Sequence, residues 1–518
     1  MRFRAKHGRS EADAPFAGTK REGFLRCPSI KEKLPSDLNW PRVAPSILKG
    51  EPSVKSLKPV VMSGREVWPL VEGGKGISVS TGDSAGAWAA AGGIGTFSGV
   101  NADSYDADRH VIPQIYKGKT RQERHHELIK FGIIGGIAQA QRAHEISGGQ
   151  GRLHMNVLWE MGGAEPILEG VLEGAKGLIH GVTCGAGMPY RVAEIAARHG
   201  VSYYPIVSSA RAFRALWLRA YNKYPEGLGG VVYEDPWLAG GHNGLSNSED
   251  PQKPEDPMPR VAALRAQMNE YGLQKTPIVM AGGVWWLSEW EHWLDNVTIG
   301  PVAFQFGTRP LLTQESPIST AWKERLRTLK KGDVFLNRFS PTGFYSSAVN
   351  NAFLQELKER SERQIAYTHE QVGAHTESFK VGVVGAPVFI TSADRARMQA
   401  WQAQGFTKVL RTPDSTLIFV TPDRAKEIIA DQTNCMGCLS ACAFSNWSQN
   451  EKGTTGHKPD PRSFCIQKTL QSISHGGDVE SALMFSGHNA YRFAQDPFYT
   501  NGFIPTVKQL VEQILTGF

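Results

Sequence analysis

Residues 277–309 read PIVMAGGVWWLSEWEHWLDNVTIGPVAFQFGTR. Two short apolar runs, Pro277 to Met280 and Val302 to Phe306, each end in glycine. The same rhythm recurs upstream at Lys58 to Met62, Arg152 to Leu158, Gly177 to Val182, Tyr203 to Val207 and Gly230 to Tyr233. Helical patterns lie between them at Tyr190 to His199, Ala210 to Tyr221 and Arg260 to Tyr271. Alternating units of this length predict a parallel sheet with helical crossovers, either doubly wound or closed. Glycine and polar residues follow many different strands, as they must when one site is built from several βα loops of a barrel. An open sheet would concentrate a phosphate signature after one strand, and Gly92, Gly93 and Gly95 do not follow the dinucleotide order.

The expected fold is therefore α/β, a (β/α)₈ TIM barrel with a large inserted α+β module carrying a four-cysteine cluster. The expected divisions are an N-terminal extension, 1–55, a barrel over 56–315, the module over 316–473 and a barrel-closing segment, 474–518. A charged run, Asn101 to Gln150, reads as a second, smaller insert without chemistry of its own.

The chain has 518 residues, 41% hydrophobic and 21% charged, a globular composition. Its 57 Lys and Arg against 50 Asp and Glu are spread without a basic block, so nucleic acid is not an expected partner. The first 20 residues lack a secretory apolar core, and no later run is long enough for a membrane span, which points to the cytoplasm.

Three loops carry candidate chemistry. In AGGHNG, glycines on both sides of His242, Gly241 among them, let backbone approach a flat ring and present one imidazole to it. Gly282 and Gly283 end the PIVMAGG run with free backbone N–H groups suited to a phosphate, although paired glycines also make tight turns. Gln305-Phe306-Gly307-Thr308-Arg309 follows the last strand before the module, where barrels commonly hold phosphate. One phosphomonoester site suits FMN better than a dinucleotide.

The order of AGAWAAAGGIGTFSG (85–99), HMNVLWE (154–160), GVTCGAGMP (181–189), AGGHNG, PIVMAGGVW and QFGTRPLLTQES resembles the nitronate monooxygenase family. The resemblance implies FMN and oxidation of alkyl nitronates or nitroalkanes with O₂. It implies His242 as base or orienting group, Asn156 and Gln305 against the flavin, Gly187 beside its ring, and Gly282, Gly283, Gly307 and Thr308 at its phosphate. The family's first loop has a Gln-Gly-Pro-Met-like turn where this chain reads Met62-Ser63-Gly64-Arg65, and compact members lack the module.

Cys435-x₂-Cys438-x₃-Cys442, with Cys465 further on, supplies four thiolates. Three closely spaced cysteines and a distant fourth suit a [4Fe–4S] cluster; the alternative is Zn, which more often draws on two separated pairs. The spacing is similar to that of FMN and iron–sulfur enzymes of the 2,4-dienoyl-CoA reductase group. The rival reading is accordingly an FMN and iron–sulfur reductase of an enoyl or quinone substrate, using NAD(P)H or a one-electron donor. An electron-relay subunit is the reading from another class, against which His242 argues. The expected partners are a small-molecule substrate, a redox protein and a second copy of the chain. Cys184 and the pair Trp285 and Trp286 read first as packing, and His488 is poised between a surface role and the phosphate face.

Overall fold

The computed structural model describes residues 57–382 and 386–516; the expected extension, 1–55, lies outside them. Eight parallel strands close into a barrel: β1 (Leu70–Glu72), β2 (Ile94–Ser98), β3 (Arg152–Leu158), β4 (Gly181–Gly185), β5 (Ser202–Val207), β6 (Val231–Glu234), β7 (Ile278–Ala281) and β8 (Val302–Phe306). Each strand pairs with its sequence neighbour, and β8 closes on β1 with Gln305 opposite Val71. Inward-facing Val71, Ile94, Tyr204, Val232, Val279 and Ala303 fill the interior. The alternate residues, such as Leu70, Phe97, Leu153, Val231 and Phe304, pack outward against the helices.

Two sequence expectations are corrected here. Lys58 to Met62 does not begin the barrel: Val60–Met62 and Arg65–Val67 form an antiparallel hairpin turning at Ser63 and Gly64, both at positive φ. Met62 and Val67 enter the interior cluster, and Ser63 Oγ lies 2.8 Å from both His154 Nε2 and Tyr204 OH. The hairpin thus plugs one end of the barrel. The first true strand is three residues long, and the loop after it is Gly73-Gly74-Lys75-Gly76. Nor is Asn101 to Gln150 an insert. Its helix, α2 (Arg121–Ser147), is the crossover between β2 and β3 and packs on the helix Gly82–Ala90 and on Ala164–Gly174. A Thr120–Glu123 capping box starts it and left-handed Gly148 ends it.

After β8 the chain leaves the barrel. Val334–Asn337 and Ser346–Val349 form a hairpin whose second strand pairs with the two-residue strand Gly241–His242. A small sheet of Gln364–Ala366, Thr416–Val420 and Lys408–Arg411 follows, with its own core around Ile365, Leu417 and Phe419. The cysteine-bearing segment comes next, and the helix Val507–Thr516 then packs against Gly82–Ala90, the place of an eighth barrel helix. Among the described residues no helix is long and apolar enough to cross a membrane.

Candidate active site

The mouth of the barrel takes its character from strand alternation. Val232, Val279 and Ala303 point inward, so two residues on Glu234, Ala281 and Gln305 do as well, and these three lie in register across β6, β7 and β8. On the other side Asn156 lies in register with Ser98 and Thr183. The Gly73–Gly76 loop crosses this layer closely: a Cβ on Gly74 would stand 2.2 Å from Asn156 Cβ, and one on Gly73 3.3 Å from Gln305 Cγ. The result is a flat floor edged by two amides and one carboxyl.

That carboxyl, Glu234, has no hydrogen-bond partner among the described residues. Burial, with a smaller push from Asp235, raises it to about 8, so it holds its proton at neutral pH. Asp235 is raised to about 6 by burial, against the opposing N–H groups of Trp237 and Leu238 that it accepts.

His242 stands at the edge of the floor. Its Nε2 is 2.6 Å from Ser340 Oγ, which is in turn 2.9 Å from Thr342 Oγ1. Burial holds the imidazole down to about 4, so it is neutral at pH 7. Phe485 meets the ring edge-on at 5.5 Å. A small cavity of about 60 Å³ opens here, walled by Ile77, Val100, Leu158, Leu470 and Phe485, with His242, Thr342, Glu160 and Cys438 as polar points.

The loops after β7 and β8 meet a third, from the chain's end. Gly282 and Gly283 both adopt left-handed φ. Gly283 O accepts Asn489 Nδ2 at 2.6 Å, and Thr308 Oγ1 accepts Gly487 N at 3.2 Å. A Cβ on Gly307 would meet nothing within 4 Å, so room is left beside it. His488 faces Ser347 Oγ at 3.0 Å and is held down to about 4 by burial. Arg309 is turned away from this cradle: it bonds Trp285 O and Gln513 and pairs with Asp496 at 3.7 Å, both partners buried.

The cysteine segment is stitched to the loop after β3. Gly162 N donates to Cys438 O at 2.9 Å, Ser440 Oγ to Glu160 Oε2 at 2.9 Å, and Arg124 Nε of α2 to Cys435 O at 3.1 Å. Gly187, at positive φ, lies against Glu160. Cys435, Cys438 and Cys442 are buried and Cys465 is partly so. Burial first, then each other's proximity, raises Cys442 to about 11, while Cys465 stands at about 12. Ser445 Oγ donates to Cys435 Sγ at 3.1 Å. Among the described residues, however, no group of three or more His, Cys, Asp and Glu is arranged to hold a metal ion. Cys184 is buried in the core with its thiol raised by burial, and Trp285 is fully buried with its N–H on Asp496, so both are packing residues.

The structure thus brings Asn156, Gln305, Gly241 and His242 to one mouth and Gly282, Gly283, Gly307 and Thr308 to one cradle beside it. Sequence reading missed the Gly73–Gly76 loop, Glu234, Ser340, Thr342 and Asn489. Alternation from Val232 would have found Glu234. Nothing local marks Ser340, which reaches His242 only through strand pairing.

A family model described as nitronate monooxygenase matches residues 169–517. Similar solved structures include FabK from Thermotoga maritima, 15% identical, covering 87% of this chain and 92% of that one, TM-score 0.46. Nitroalkane oxidase from Streptomyces ansochromogenes is 20% identical, covering 56% and 78%, TM-score 0.40. The enoyl reductase domain of MlnA from Bacillus amyloliquefaciens is 11% identical, covering 87% and 93%, TM-score 0.47. No curated protein matches the chain.

Proposed function

We propose, on the premise that this chain belongs to the nitronate monooxygenase family and is an oxidoreductase, that it binds FMN and oxidises alkyl nitronates or nitroalkanes with O₂. The observation that carries this reading is a half-buried, neutral His242 shared between a glycine-floored barrel mouth and an apolar cavity.

The residues present fit the cofactor. The flat floor at Gly73 and Gly74 admits a planar ring, and the open space at Gly307 beside two left-handed glycines suits a phosphate. Asn156 and Gln305 would hold the ring by their amides, protonated Glu234 would offer it one O–H, and Gly282, Gly283, Gly307 and Thr308 would hold the phosphate. Bound there, FMN supplies the two-electron redox chemistry that no side chain has. His242 takes the acidic proton from the carbon beside the nitro group, a task for an imidazole that is neutral at working pH. The surrounding apolar side chains exclude water and receive the alkyl part of the substrate.

One observation favours the second reading, an FMN and iron–sulfur reductase of an enoyl or quinone substrate. Cys438 lines the same cavity as His242, so a group held by Cys435, Cys438, Cys442 and Cys465 would sit beside the site. The thiols are neighbours but, among the described residues, not gathered about one point, which does not suit a single Zn with four bonds of about 2.3 Å. A [4Fe–4S] cluster at these four cysteines is proposed only as the loading to be measured.

The test is an anaerobic absorbance spectrum of the purified protein with iron, sulfide and zinc analysis, followed by propyl nitronate and then NADH. Flavin bands bleached by nitronate are expected. Bleaching by NADH alone, with iron and sulfide present, overturns the monooxygenase reading in favour of the reductase. A protein that neither carries nor binds FMN overturns both.

A further inference from the structure

The hairpin that follows the barrel does more than cover it. Ser346 pairs with His242 and Ser347 with Gly241, so the strand bearing the imidazole is completed by the module. The turn of that hairpin carries Ser340, Pro341 and Thr342. It is fixed from outside: Pro341 O accepts Ala443 N at 3.0 Å, and Phe339 O accepts Ser463 Oγ at 2.7 Å. Ser340 is 1% exposed, and its Oγ lies 2.6 Å from His242 Nε2.

Around this contact the backbone donors have a fixed direction, and Thr342 N donates to Ser340 Oγ at 3.4 Å. Thr342 Oγ1 accepts Phe344 N at 3.2 Å and lies 2.9 Å from Ser340 Oγ. Thr342 and His242 both face the cavity. His242 Nδ1 has no partner among the described residues. An imidazole N–H without an acceptor is costly in a buried site, whereas a bare ring nitrogen facing a cavity can await a substrate proton.

We propose that Ser340 is a positioning residue that accepts Nε2–H of His242 and so leaves Nδ1 as the base facing the cavity, with Thr342 accepting the Ser340 O–H in turn. This rests on the reading of His242 as the base. The chain runs Nε2–H to Ser340 Oγ, then Ser340 O–H to Thr342 Oγ1, and leaves the Thr342 O–H free to point into the cavity. When Nδ1 takes a proton from a carbon acid, the C–H pair stays on carbon as the carbanion and the ring becomes imidazolium. The bond from Nε2–H to Ser340 then becomes charge-assisted and strengthens. The arrangement stabilises the proton-transfer state more than the resting state, so its loss should lower kcat and leave KM nearly unchanged.

The test is nitrogen NMR of the protein carrying ¹⁵N-histidine, with His242 assigned by the signals lost in His242→Asn. It needs no turnover, so it reports on this proposal even if nitronates prove not to be substrates. The expected result is one tautomer, with Nε2 protonated and Nδ1 bare. In Ser340→Ala the ring should lose that single tautomer and kcat with a neutral nitroalkane should fall roughly 10–100-fold at similar KM, while Ser340→Thr restores both. A bare Nε2 in the unmodified protein overturns the proposal. So does a Ser340→Ala protein with unchanged tautomer and kcat. If Ser340→Ala does not fold, the tautomer of the unmodified protein decides alone.

Discussion

Replacing Glu234 by Gln should stabilise the cofactor-free protein, and increasingly so as pH rises. The folded carboxyl titrates at about 8 against an ordinary 4.5. Between those values the folded state keeps a proton that the unfolded chain releases, so wild-type stability falls as pH climbs from about 4.5 to about 8 and levels off beyond. At about 1.36 kcal/mol per unit the full difference would approach 5 kcal/mol; water reaching the partly open mouth reduces this to about 2 to 5 kcal/mol. The amide of the Glu234→Gln protein has no such proton to lose, so its advantage should be small near pH 5 and reach that range near pH 8. Asp235, also raised, titrates in both proteins and largely cancels. Urea unfolding of the two apoproteins at several pH values between those limits provides the measurement. A difference that stays flat with pH would refute the reasoning, since it would mean that Glu234 finds a partner or stays solvated.

His242→Asn should keep its flavin spectrum while flavin reduction by a neutral nitroalkane slows by roughly 10²–10⁴-fold, because the base is lost and the floor is untouched; anaerobic stopped-flow mixing measures it, and reduction by the preformed nitronate should change far less. Gly307→Val projects into a space with no atom within 4 Å, so the apoprotein should melt as before while FMN affinity, read by fluorescence titration, falls at least about tenfold. Joining Glu315 to Thr506, which removes the module together with the Gly487–Asn489 loop, should give a protein that exposes the barrel mouth and binds the apolar dye ANS, because the walls at Leu439, Ile466 and Leu470 go with it.

What the sequence made legible follows from burial. Arg152–Leu158 and Val302–Phe306 read as strands because nearly every residue is buried, and apolar runs report that directly. The sequence places the start of Gly181–Gly185 four residues early, since Gly181, Thr183 and Gly185 face the barrel interior and carry no apolar signature. The α2 segment looked like an insert because Gly132, Gly135 and Gly136 make up part of its buried face. There a Cβ on Gly135 would stand 1.9 Å from Ala102 O, so contact depends on missing side chains rather than on an apolar stripe. Val60–Met62 mimicked the first strand because an apolar run before Ser-Gly reads alike in a hairpin and in a βα unit. The candidate site was legible where glycine had to sit and illegible where pairing across the chain decides, as at Ser340.

That last distinction bears on what the module is for. An appended domain would touch the barrel through a surface and leave its mouth alone. Here the module adds a strand to Gly241–His242, places Ser340 on the imidazole, and builds part of the cavity from Leu439, Ile466 and Leu470. Its cysteine loop is tied to Glu160 and Gly162 at the end of β3, so a displacement of Cys438 is felt at the wall that faces His242. On the proposed function, substrate choice would therefore depend in part on residues that lie between β8 and the closing helix, and the floor proposed for the cofactor on the barrel. Exchanging side chains in the module should change which substrate is taken without changing whether FMN binds.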